Sequence, residues 1–437
     1  VFFFFDYCWI NTFFIAFTKF LILAFFLNYL IFIKDSISLT KTHILNELPW
    51  LLSLAVYFIF ILLSSYDLFV SYLAIEGLSF TLYILASISN NNFISKEAAF
   101  KYLSIGSISS GFLLIALTWI YSVIGNLNFV FFQYHLINSN GLLEIQLKVA
   151  LVLIVFAFLF KLAAFPCYFW IADVYSGILT PITFFFSTII KLGLALFMLR
   201  FLYTICFNLN EIWSKIILIS AFGSILIGAL GALFQSEIKR FIAYASINQI
   251  GFFLLSLVSK SIFGVKAALL YLVVYIIMNF LFFGIILNGF NIITGRNILY
   301  FSDLNSLVDF APFSGVILVL TLFSMAGIPP LAGFFTKTYI FCSFVNYYCW
   351  NYHFVAILLL TIISAFYYIN IIRQIFFETS KIWSIFFLVS NSYNYFLFMF
   401  WINIILFWLF FFNDISYIFE LLALNCVSPL LISNLIV

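Results

Sequence analysis

Apolar runs of membrane-spanning length follow one another along the chain, separated by short polar stretches. About twelve are visible, near 10–33, 49–65, 67–89, 98–123, 145–171, 178–203, 213–235, 238–259, 264–290, 311–345, 352–377 and 382–412. No soluble domain is inserted between them, so the pattern predicts an all-α polytopic membrane protein. The tail from Ile415 onward has Asp414, Glu420 and Pro429 at its breaks and reads as an interfacial helix or a loose end.

The segment Val149–Ile171 departs from a plain spanning helix because it carries Lys161 near its middle and Pro166 five residues later. An ammonium at bilayer mid-depth costs about 2.5 to 3.5 kcal/mol even on the lenient insertion scale, so Lys161 should face protein or a water-filled cavity rather than lipid. Pro166 cannot donate to the carbonyl of Leu162, and its ring kinks or breaks the helix. Broken backbone beside a buried ionisable group is how transporters build ion sites.

The next segment, Ile178–Phe201, carries Lys191, and the turn Asp173–Gly177 joins the two. In an antiparallel hairpin Lys161 and Lys191 sit at one depth. Two ammonium groups facing a common low-dielectric space repel, which favours at most one being charged at a time. A second break comes at Gly327, Ile328, Pro329 and Pro330, followed by Lys337 in the same segment. Pro329 and Pro330 leave the carbonyls of Met325 and Ala326 without their usual donors. The breaks LAAFPCYFW (162–170) and MAGIPPLAGF (325–334) are 163 residues and about five segments apart. An odd number of segments reverses orientation, as in an inverted-topology repeat. The domain reading is an N-terminal helix and loop over 1–48, repeat halves over 49–210 and 211–380, and a C-terminal helix and tail over 381–437.

Composition agrees: 66% of residues are hydrophobic and 8% charged, which excludes a soluble globular chain. The formal charge is only +3 and no basic run occurs, so nucleic acid is not expected as a partner. Lys34, Lys41, Lys96, Lys101, Lys239, Arg240, Arg296, Arg373 and Lys381 collect on one side. Lys148, Arg200, Lys215, Lys260 and Lys266 lie on the side of the termini, which places the termini away from the compartment of synthesis. Phe makes up 64 of 437 residues, a bias toward AT-rich codons that fits organelle-encoded translation, and no cleavable presequence is evident.

The six cysteines show no ligand spacing and read as small apolar fillers. His43, His135 and His353 lie in or beside loops and do not form a haem pair, so no redox centre is expected. Lys101, Lys215 and Lys266 lie near segment ends and are explained by snorkelling. Glu76, in Leu68–Ile88, is the lone deep acid and needs a cation or a proton. It reads either as a fixed counter-ion of Lys161 or as a switchable partner. A purely structural ion pair is the bland reading for the lysines, but a single acid leaves at least two of them without a carboxylate partner, which a static role tolerates poorly.

FKLAAFPCYFWIADVYSGILTPITFFFSTIIK (160–191) resembles the antiporter-like membrane subunits of respiratory complex I, in the branch called subunit N in bacteria and subunit 2 in mitochondria. Supporting stretches are LAIEGLSFTLYILA (73–86), KEAAFKYLSIGSISSGFLL (96–114), SEIKRFIAYASINQIGFFLLSL (236–257) and SMAGIPPLAGFFTKTYIF (324–341). The resemblance implies that Glu76 matches the channel glutamate, Lys161 the broken-helix lysine, Lys191 the central lysine and Lys337 the lysine after the second break. It further implies proton translocation along a mid-membrane polar axis, coupled to quinone reduction elsewhere in an assembly of the mitochondrial inner membrane. NADH, FMN, iron-sulfur clusters and ubiquinone are then expected on other subunits, with none in this chain. Other membrane-arm subunits and phospholipids such as cardiolipin are the expected partners. Bacterial members have a histidine where this chain has Gln249, leaving water or a hydroxyl such as Ser246 to replace it. They also have three helices before the one matching 49–65, so two helices are expected to be lost or carried elsewhere. A stand-alone cation/proton antiporter of the same fold is the alternative, although no second buried carboxylate supplies a cation site. A purely structural subunit is a third reading, and it would predict erosion of the lysines.

Overall fold

The computed structural model describes residues 2–4, 8–38, 47–88, 93–138, 142–291, 296–305, 307, 311–348, 352–377, 386–388, 392–408 and 412–427. His43, Cys349, Lys41, Lys381 and Pro429 lie outside the described residues, as do the side chains of His353 and Arg296.

The helices, in chain order, are α1 (Phe13–Ser38), α2 (Leu48–Ser64), α3 (Leu68–Ser87), α4 (Phe93–Ile124), α5 (Phe129–Asn138), α6 (Leu142–Leu162) and α7 (Ile171–Gly177). Then come α8 (Thr180–Ile205), α9 (Asn210–Leu233), α10 (Ile238–Val258), α11 (Ile262–Asn288) and α12 (Pro312–Ala326). The chain continues through α13 (Ala332–Tyr348), α14 (Tyr352–Phe377), α15 (Ser392–Phe407) and α16 (Phe412–Val427). Among the described residues nine helices are long and apolar enough to cross a membrane, and Leu48–Ser64, Pro312–Ala326 and Leu397–Leu406 are shorter apolar helices. Together they fall on the twelve segments read from the sequence. A multi-pass membrane fold follows, since an apolar helix satisfies its own backbone groups and can sit in lipid.

Small antiparallel patches lie outside the helices: Phe2–Phe4 pairs with Trp9–Asn11, and Gly289–Asn291 lies between Arg296–Asn297 and Phe386–Leu388.

Three helices form the centre. All of α8 is buried, and so are nearly all of α10 and α11. Around α8 pack α1, α2, α6 and α11, while α10 is enclosed by α7, α9, α11 and α13. Helices buried on every side need no amphipathic stripe, and here hydrophobicity runs all round. The closest pairing is α9 with α10. A Cβ on Gly228 would meet the Asn248 backbone N at 2.5 Å, and one on Gly251 would meet Ser224 Oγ at 2.5 Å. Small residues let membrane helices approach this closely, since packing rather than hydrophobicity holds them together.

Both proline segments are broken, as the sequence indicated, but the helix leaves its path before the proline. After α6, Ala163 takes φ +57, its N–H donates to Phe160 O, and Ala164 N–H donates back to Leu159 O (3.0 Å). After α12, Gly327 takes φ +88, with Ile328 N–H donating to Phe323 O (3.2 Å). Each is a Schellman-type termination with one left-handed residue. The residue before a proline is disfavoured in the α region, so the chain turns out ahead of Pro166 and of Pro329 and Pro330. The left-handed residues stand 164 positions apart.

One local reading is corrected, and the tail is a helix rather than a loose end. The tail is a packed helix: α16 lies against α11 and α1, and its Glu420 holds Lys266 Nζ at 2.9 Å. Lys266 is therefore not a snorkelling residue; its side chain is 9% exposed and ion-paired to Glu420. Arg200 is also inward. It is buried at the end of α8 and donates to the carbonyls of Leu63 and Ser65.

Replacing Gly228 with Leu should destabilise the protein by about 1 to 3 kcal/mol, because α9 and α10 must separate at a backbone contact. Gly111→Leu, where a new Cβ meets nothing within 4 Å, should be neutral. Thermal unfolding of the two variants in one detergent checks the contrast.

Candidate functional site

Lys161 closes the last turn of α6, where the negative end of the helix dipole favours a cation. Its Nζ is buried and has no hydrogen-bond partner among the described residues. Glu76 on α3 is electrostatically coupled to it, yet its Oε1 is likewise buried and unpartnered, while Oε2 accepts from Ser79 Oγ at 3.3 Å. The two are neighbours without being a closed pair. At this break the terminal carbonyl of Phe160 is taken by Trp170 Nε1 at 3.2 Å, and the Trp170 ring stacks on Tyr102 at 5.0 Å.

Lys191 sits at the centre of α8, immediately after a π-helical turn over Phe186–Ile190. Such turns widen the helix and free a carbonyl from its regular partner. Here Ser187 O accepts from Tyr275 OH on α11 at 3.2 Å. Lys191 Nζ donates to Ser246 Oγ on α10 at 2.7 Å and lies 5.8 Å from the centre of the Tyr175 ring.

Lys337, on α13, reaches back across the second break. Its Nζ donates to Met325 O at 2.7 Å and to Ala326 O at 2.9 Å, the two carbonyls that Pro329 and Pro330 deprive of donors. The ammonium thus caps the C-terminus of α12, with the Phe252 ring centre 5.2 Å away. Gly327 makes this possible: a Cβ there would stand 2.9 Å from Lys337 Cδ. The two breaks share a backbone turn and differ in what fills it, an indole at the first and an ammonium at the second. Lys161 precedes its break and Lys337 follows its own.

A cavity of about 10 Å³, room for roughly one water, lies between residues that hold these last two lysines. It is lined by Ser246, the partner of Lys191, and by Met325, the partner of Lys337, with Gln249, Tyr275, Asn279 and Tyr368 between. Gln249 stands in the position where a histidine was expected in bacterial relatives. Its Oε1 accepts from Tyr271 OH, and its Nε2 donates to Tyr368 OH at 3.2 Å. Asn279 lies beside Tyr275 on the same face of α11. Neither Lys191 nor Lys337 has a carboxylate within ion-pairing distance among the described residues. A buried ammonium held only by neutral oxygens keeps its proton transferable, since no fixed counter-charge locks it in place.

Sequence reasoning named the four ionisable groups together with Ser246 and Gln249, and missed the phenols and Asn279 between them. A signal existed. Tyr271, Tyr275 and Asn279 recur every fourth residue in an otherwise apolar segment, which puts them on one face of α11.

The family described as NADH:quinone oxidoreductase/Mrp antiporter, transmembrane region, matches residues 65–364. The chain is 36% identical over 342 residues to NADH-quinone oxidoreductase subunit N of Pelagibacter ubique, covering 77% of this chain and 70% of that one. It is 34% identical over 329 residues to NADH-ubiquinone oxidoreductase chain 2 of Marchantia polymorpha, covering 74% and 65%. Its fold is shared with a chain of respiratory complex I from Thermus thermophilus (TM-score 0.66, 24% identity, 87% of this chain and 78% of that). A chain of the Mrp complex from Dietzia also shares it (TM-score 0.74, 18% identity, 87% and 78%).

Gly327→Ala should cost about 1 to 2 kcal/mol, the penalty for a side chain in the left-handed region, and should push Lys337 off its carbonyls. Ala163→Gly relieves that same penalty at the first break and should be neutral or stabilising. Denaturation midpoints of the two variants in detergent check the opposite signs.

Proposed function

This chain belongs to the NADH:quinone oxidoreductase/Mrp antiporter family of membrane subunits, and we propose that it is the subunit N type component of the membrane arm of a NADH:quinone oxidoreductase. In this reading it translocates protons through Glu76, Lys161, Lys191 and Lys337. The observation that carries the proposal is the buried line from Lys191 through Ser246 and the inner cavity to the Lys337-capped carbonyls.

The mechanism follows from these contacts. With Lys161 neutral, Glu76 loses its cation; with Lys161 charged, the two attract across low-dielectric surroundings, so protonation biases how close they come. Lys191 passes a proton toward Ser246 and water in the cavity, each oxygen taking one proton and releasing another. Arrival of charge at Lys337 strengthens the cap on α12, and departure of the proton weakens it. Electrostatic repulsion between successive ammonium groups keeps the line from filling everywhere at once.

NADH, FMN, iron-sulfur clusters and ubiquinone then belong to other subunits, and this chain carries no redox step. Its neighbours are other membrane-arm subunits, with phospholipids such as cardiolipin at the seams. The Phe-rich composition and the likeness to a chain 2 protein support placement in the mitochondrial inner membrane. Halves over 49–210 and 211–380 are supported by the matching left-handed turns at Ala163 and Gly327. A stand-alone cation/proton antiporter is disfavoured because the relatives at 34% and 36% identity are named as subunits of NADH-quinone and NADH-ubiquinone oxidoreductases.

Lys191→Met and Lys337→Met should each abolish proton uptake coupled to quinone reduction in vesicles holding the assembled complex, and Glu76→Gln should weaken it. Wild-type proton-to-electron ratios in both lysine variants would overturn the proposal.

A further inference from the structure

A second cavity lies apart from the lysines. It occupies about 290 Å³, space for roughly ten waters, and is lined by the ends of α9 and α10, the segment at 300–302 and the outer half of α14. Its polar lining includes Gln235, Ser236, Asn370 and Gln374, and Phe241 and Tyr367 also line it. These residues lie on the face that carries Lys239, Arg240 and Arg373. That is the side of excess positive charge and therefore the side of synthesis.

Phe241 lines the small inner cavity as well. Beside it, two consecutive tyrosines of α14 divide between the spaces: Tyr367 lines the outer cavity and Tyr368 the inner one. Successive helix positions point about 100° apart, so adjacent residues can serve two compartments. Their ring centres are 4.3 Å apart and their hydroxyls interact. Helix α10 holds both in register, with Asn248 Nδ2 donating to Tyr367 OH at 3.1 Å and Gln249 Nε2 to Tyr368 OH at 3.2 Å. Phe241 stands edge-on to both rings, at 5.5 Å and 80° to Tyr367 and at 5.9 Å and 90° to Tyr368. Both phenols are buried, and the Oδ1 of Asn248 beside them is unpartnered.

We infer that the outer cavity is a water-filled proton entrance from that face, that Tyr367 and Tyr368 relay protons from it to the inner cavity between Lys191 and Lys337, and that Phe241 blocks bulk water between the two. The inference rests on the proton-translocation reading above. Each phenol accepts one proton and gives up its own, so both end neutral and the net result is one proton moved inward. Asn248 and Gln249 position the hydroxyls and transfer nothing. Phe241, the apolar wall common to both cavities, prevents a continuous water column, which would let protons leak without coupling.

The test uses the assembled complex in sealed vesicles. Tyr367→Phe and Tyr368→Phe keep the rings and remove the hydroxyls, and each should lose coupled proton uptake. Phe241→Ala should raise the passive proton leak. Asn370→Cys should react with a charged, membrane-impermeant thiol reagent above the background of native cysteines and lose uptake once labelled; Phe366→Cys, on the lipid-facing surface of α14, should not react. Unchanged proton-to-electron ratios in both tyrosine variants, or an unreactive Asn370→Cys, would overturn the entrance. Lys191→Met separates the two levels: if it stops uptake while the tyrosine variants pump normally, only the entrance falls, and if it too is silent, the translocation reading falls with it.

Discussion

Everything else in this structure answers to one constraint: Lys161, Lys191 and Lys337 sit inside a membrane protein without forming an ion pair to a carboxylate among the described residues. Charge in such a place is costly, and the usual remedy is an ion pair. The chain uses that remedy only away from the axis, where Lys266 meets Glu420 and Lys101 meets Glu97 and Asp173. On the axis the ammonium groups are given neutral oxygens, a hydroxyl for Lys191 and two backbone carbonyls for Lys337. Neutral acceptors stabilise the charged form without fixing it, which suits the proposed role of these groups in gaining and losing a proton.

Those carbonyls are available because the helices are irregular where the lysines are. The turn at Gly327 exposes Met325 O and Ala326 O, and the π-turn before Lys191 exposes Ser187 O to Tyr275. Exposed backbone acceptors at mid-membrane are tolerable only when something inside the protein fills them. Local backbone and local electrostatics are therefore one arrangement: a proton lost from Lys337 weakens the cap on α12, and a displaced α12 would strand the ammonium.

Glu76 and Lys161 behave differently from the other lysines. They are coupled but not closed, each with an unpartnered buried atom. A fixed counter-ion would be expected to complete its hydrogen bonds. The open geometry favours the switchable partnership over the static one.

The sequence by itself determined the membrane class, the twelve apolar segments, the two broken helices and the four ionisable positions, since hydrophobic length, proline chemistry and buried charge are properties of single segments. It even marked Met325 and Ala326 as the carbonyls left without donors. It misjudged Lys266 and left the tail open between an interfacial helix and a loose end, because a residue near the end of an apolar run can snorkel or turn inward, and only its neighbours decide which. Tertiary structure alone assigned Lys337 to those carbonyls, Lys191 to Ser246, and Gln249 to its two tyrosines. It also set Tyr367 and Tyr368 between two cavities. These are contacts between helices far apart in the chain, fixed by how α10, α11, α13 and α14 pack, and hydropathy along one segment carries no record of which side chain stands opposite.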